Sequence, residues 1–127
     1  MTEPQLEVPL DGLFLSPTPP WGTSVLVRRG PNELLLLRRR GQWGPPAATR
    51  LPDEPVATCA ARALYELAGL RLPMWPLGDG DASWIVFVAS VNDQHFVVDA
   101  DEYEWVSIDE ARRRCTDLVS ATLDLVA

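Results

Sequence analysis

The residues best equipped for chemistry on phosphates are the arginines. All 11 basic residues are arginine and none is lysine, and a guanidinium offers a planar fork that meets phosphate with two parallel hydrogen bonds. Arg38, Arg39 and Arg40 stand in a row at the end of an apolar run, Glu33 to Arg39. Side chains alternate along a strand, so at most two of the three can face one site. The competing reading leaves all three solvated at the mouth of a loop. Other reactive types carry less. His95 is the one histidine and has no ligand-spaced partner, so it reads as an ordinary strand residue. Cys59 and Cys115 fit neither a metal spacing nor a disulfide framework, and Cys59 sits among alanines as a small buried residue. Asp79 and Asp81 alternate with Gly78 and Gly80, but the terminal glutamate of a calcium loop is absent.

The element that must position any site is the stretch from Gly41 to Leu70, GQWGPPAATRLPDEPVATCAARALYELAGL. A proline-rich loop led by Trp43 runs into Asp53-Glu54-Pro55, which has the composition of a helix start. Asp53 is suited to cap, a carboxylate to the positive end, and proline to the first turn. The helix is expected from about Pro55 to Ala68, with Gly69 as a left-handed stop. On it, Glu66 follows Arg62 by one turn, the spacing of a surface salt bridge. For Glu54, the helix dipole alone is a sufficient explanation. Trp43, in a loop, is a natural platform for a base, against the alternative that it plugs the bottom of the domain.

This loop, helix and glycine stop resemble the Nudix box, the motif of hydrolases that cleave nucleoside diphosphates linked to another group. Over residues 48–70, Glu54, Arg62, Leu64, Glu66, Gly69 and Leu70 keep the register of that box, with Trp43 and Pro46 also where the family often has them. The resemblance implies a structural role for Glu54, Arg62 and Gly69, and a metal-binding, catalytic role for Glu66. It also implies that Arg39 or Arg40 reaches the substrate's phosphates, and that an acidic residue after the box, Asp99, Asp101 or Glu102, joins Glu66 on Mg2+ or Mn2+. Two departures weaken the motif. Ala63 and Leu67 stand where the family has glutamates, four apart on one helix face, the arrangement that offers two carboxylates to one cation. Ala47-Ala48 replaces a Gly-Gly, where a backbone carbonyl could still reach a metal.

The rest of the chain reads as one α/β domain over residues 21–127, preceded by a proline-rich arm or edge strand over residues 1–20. Trp21 to Arg29 and Glu33 to Arg39, separated by Gly30-Pro31-Asn32, form a hairpin. Leu34 to Leu37 in a row demand cover on both faces. Ala82 to Val91 is a further doubly apolar strand after an extended connection through Pro73 and Pro76. Tyr103 to Val106 leads into Ser107-Ile108-Asp109-Glu110, a capping box, and Leu118 to Val126 reads as a closing helix. This order, with the resemblance, implies an α/β/α sandwich around a mixed sheet.

The net charge of -7 excludes a basic footprint for a nucleic-acid backbone but admits a mononucleotide-sized ligand. No signal peptide or membrane span is indicated in the first twenty residues, so a cytoplasmic location is expected. Three functions follow. The first is a degenerate Nudix domain that binds a nucleotide-like small molecule or a protein partner, with hydrolysis weak or lost. The second is an active Mg2+- or Mn2+-dependent pyrophosphohydrolase using Glu66 and a downstream carboxylate. The third is a non-catalytic scaffold or homodimer subunit.

Overall fold

The computed structural model describes residues 16–77, 83–91 and 102–115. Seven strands form one mixed sheet: β1 (Gly22–Arg29), β2 (Glu33–Arg39), β3 (Gln42–Gly44), β4 (Ala47–Thr49), β5 (Trp75–Pro76), β6 (Trp84–Val91) and β7 (Tyr103–Ser107). Helix α1 (Val56–Ala68) covers one face, and α2 (Ile108–Arg114) packs on the other. The N-terminal residues before Ser16, the Gly78 to Asp81 turn, His95, Asp99, Asp101 and the expected closing helix lie outside the described residues.

The hairpin is present but pairs only at its turn end, Arg28 with Leu34 and Arg29 with Glu33. Beyond that the two strands diverge. β4 takes over the edge of β1 at Gly22 to Ser24, and β3 takes over the edge of β2 at Leu37 to Arg39. The outer edges are held along their length, β1 by parallel β6 and β2 by antiparallel β7. This divergence opens a gap between strand ends, over which α1 lies.

Leu34 to Leu37 are all buried, as a strand between two helical layers requires. Alternation sends Leu35 and Leu37 to the α1 side, with Val25, Val27, Phe87, Ala60 and Leu64. It sends Leu34 and Leu36 to the α2 side, with Leu26, Val86, Val106 and Ala111. Gly22 marks the tightest backbone approach. A Cβ there would stand 2.5 Å from the Ala48 carbonyl oxygen and 2.6 Å from the Trp84 ring, whose Nε1 donates to Ser24 Oγ at 2.9 Å.

The start of α1 differs from the expected one. Asp53 does not cap it: its φ of 62° places it in a left-handed turn, a conformation aspartate tolerates, and Pro55 occupies the cap position without a side-chain bond. Gly69 ends the helix as expected, at φ 70°, its N–H donating to Tyr65 O at 2.8 Å. Half of the expected capping box forms at α2. Ser107 Oγ accepts from Glu110 N at 3.1 Å, but the Glu110 carboxylate is drawn away to Arg113 and Arg114. Among the described residues no helix is long and apolar enough to cross a membrane.

Candidate functional site

Where β1 and β2 diverge, a cleft of about 330 Å³ lies between β4, the end of β2 and α1. Its walls come from Arg39 on β2, from Ala47, Ala48 and Thr49 on β4, from Leu51, and from one face of α1 comprising Arg62, Ala63, Glu66 and Leu67. The cleft therefore coincides with the stretch singled out by spacing, and the α1 residues that line it include Ala63 and Leu67.

Arg62 is the hub of the wall. Its Nε donates to Glu54 Oε2 at 2.9 Å, and its second terminal nitrogen donates to Glu54 Oε1 at 3.0 Å and to Thr49 O at 2.9 Å. Glu54 also accepts from Leu51 N at 3.0 Å. Its side chain is only 9% exposed, so the carboxylate depends on these partners for its charge. The Arg62 bonds hold the Glu54 carboxyl below its ordinary range, and the same contact raises the already high pKa of Arg62. The loop is held a second time by Arg50, which donates to Pro20 O at 2.8 Å, Thr18 O at 2.8 Å and Glu54 O at 3.0 Å. Beneath it lies Cys59, fully buried, its thiol pushed up in pKa by that burial.

Glu66 faces the cleft but is 60% exposed, and its Oε1 lies 3.6 Å from the remaining terminal nitrogen of Arg62. Arg39 lies in the same cleft and has no ion-pair or hydrogen-bond partner among the described residues. The three consecutive arginines thus separate as alternation requires. Arg38 turns to the opposite face and Arg40 sits at φ 53° in the following turn, exposed and off the cleft wall.

Three expected site residues lie elsewhere. Glu102 faces Arg38, with both carboxylate oxygens 3.3 Å from its terminal nitrogen, and forms no part of the cleft. Trp43 pairs across the sheet with Arg38 and so shares its face. It packs against the α2-side core with the Arg114 guanidinium 5.2 Å from its ring. A strand register, invisible in spacing alone, removed both from the site. The Ala48 carbonyl accepts the Cys59 thiol at 3.6 Å and is directed at β1 by strand pairing. Tyr103 was missed in the sequence. It opposes Leu37, is 42% exposed, and therefore shares a sheet face with Arg39. Its signal was its place in a strand two residues before Trp105, which joins the α1-side core.

Mg2+ requires several hard oxygen ligands in near-octahedral array. The cleft supplies one mostly exposed carboxylate already beside a guanidinium, with a methyl and an isobutyl group at the adjoining positions. Among the described residues no group of three His, Cys, Asp or Glu could hold a metal. The described residues of the cleft do not by themselves fit a resident divalent cation.

The NUDIX domain model matches residues 18–124. The chain belongs to the NUDIX family. No curated protein matches the sequence significantly. Among solved structures, the fold is similar to an Ap4A hydrolase of C. elegans, at TM-score 0.66 and 18% identity over 82% of this chain and 92% of that one. It is similar to a MutT NUDIX hydrolase from Burkholderia pseudomallei, at 0.63 and 22% over 84% and 96%. It is also similar to the E. coli dihydroneopterin triphosphate pyrophosphohydrolase, at 0.64 and 12% over 83% and 92%. The NUDIX frame accounts for the mixed sheet and its covering helices.

Proposed function

We propose that the cleft binds the linked phosphates of a nucleoside-diphosphate-type ligand and that phosphoanhydride hydrolysis there is weak or lost. The observation that carries this reading is the α1 face, where Ala63 and Leu67 flank the single carboxylate of Glu66. Hydrolysis of this kind draws on cations that neutralise the diphosphate and activate water. A lone exposed carboxylate paired with Arg62 is a poor holder of such a cation. Binding keeps its support, since Arg39 offers a guanidinium uncommitted among the described residues and the cleft volume is within the range of small-molecule sites. Family membership favours a ligand with linked phosphates, as the names of the Ap4A hydrolase and the triphosphate pyrophosphohydrolase illustrate. In this reading Tyr103, which shares a sheet face with Arg39, takes the role of base platform that spacing assigned to Trp43.

The test is phosphate or nucleoside monophosphate release from nucleoside triphosphates, dinucleoside polyphosphates and nucleotide sugars with Mg2+ or Mn2+. The same panel is then run as a thermal-shift screen. Ligand-induced stabilisation without turnover is expected. Metal-dependent turnover abolished by Glu66→Gln would establish the second reading, an active hydrolase, which is favoured by the orientation of Glu66 into the cleft.

A further inference from the structure

Resting on that reading of the cleft, we infer that its ligand binds without a divalent cation, with Arg39 taking over the charge neutralisation a metal would otherwise supply. Two carboxylates on one helix face would repel a diphosphate unless a cation lay between them. With Ala63 and Leu67 at those positions, most of that repulsion is gone, and the need for a bridging cation goes with it.

The remaining charges are arranged to receive an anion. Arg62 is saturated by Glu54, whose two oxygens take its Nε and one terminal nitrogen. Its third nitrogen meets Glu66 only at 3.6 Å, a contact that a phosphate oxygen can displace. Arg39 is unpaired among the described residues and projects from the last position of β2 into the same space. Its guanidinium can grip a phosphate bidentately without first breaking an ion pair. Glu66 is the one negative group on the wall among the described residues, so here it opposes the ligand instead of recruiting it.

This reverses the sign of one substitution. In a metal site, removing the Glu66 charge weakens ligand binding. In an arginine site it strengthens it. Calorimetric titration of the full chain with ADP and with inorganic pyrophosphate, in excess EDTA and again in millimolar Mg2+, separates the two. The expected result is binding in EDTA at least as tight as in Mg2+. Arg39→Ala should weaken it by about tenfold or more, as for loss of a charge-assisted bidentate contact, and Glu66→Gln should tighten it by about threefold. The Arg39 side chain is exposed and has no partner among the described residues, so its alanine variant should keep the wild-type melting temperature and remain a valid test. Binding that requires Mg2+, or that weakens in Glu66→Gln, would overturn the inference while leaving the cleft a phosphate site. Absence of binding by ADP, pyrophosphate and every member of the nucleotide panel under both conditions would overturn the inference and the underlying reading together.

Discussion

Two faces of helix α1 have kept different parts of the same motif. Toward the preceding loop, Glu54, Arg62 and Gly69 are all present, and each makes a definite contact. Toward the cleft, the positions four apart carry Ala63 and Leu67, and Glu66 is the carboxylate of α1 that lines it. The first face holds the fold and the second lines the cleft. Their separation shows that the structural half of such a motif persists on its own physical grounds. Glu54 is nearly buried, and once it is there its guanidinium partner must be too.

The contrast can be broken first from beneath. Leu64 is 1% exposed in the α1-side core, and Leu64→Ala should cost about 2–5 kcal/mol in denaturant unfolding through lost burial and a residual cavity. Next, Arg62→Ala removes the guanidinium from Glu54, whose side chain is 9% exposed and keeps the Leu51 N–H. A loss of about 2–3 kcal/mol is expected, with the melting temperature lowered accordingly. A loss no larger than that of an exposed pair would erase the distinction between the faces.

Acid sharpens the same point. The Glu54 pKa is lower in the folded chain than in the unfolded one, so its stabilisation is complete above the unfolded value, near 4.5, and is lost as pH falls through the folded value. Unfolding free energy should therefore decline below about pH 4.5. In Glu54→Gln the protein should begin less stable and decline less over that window, as a pH series of denaturant melts would reveal. The smallest effect belongs to the other face. Glu66→Gln, removing a mostly exposed ion pair, should change stability by no more than about 0.5 kcal/mol. A larger loss would mean that Glu66 serves the fold.

Much of the fold was legible from local pattern. Gly30-Pro31-Asn32 between apolar runs marked the hairpin, four consecutive leucines marked a strand covered on both sides, and Gly69 marked the end of α1. The start of α1 was less legible, because Asp53 is suited equally to a cap and to a left-handed turn, and the loop geometry selects the turn. Within the site, alternation limited the arginines that could act together but could not say which face carried the cleft. Arg39 and Arg38 differ in nothing except their parity relative to Leu37.

The sequence by itself determined the family, the layered α/β architecture and the place of Ala63 and Leu67 four apart on α1, because each depends on residue type at short spacing. Only the tertiary structure decided that Arg39 enters the cleft, that Glu102 is held by Arg38 and that Trp43 belongs to the far side of the sheet. Those placements depend on strand registers between residues distant in the chain. A shift of one residue in such a register would have exchanged every side chain between the two faces.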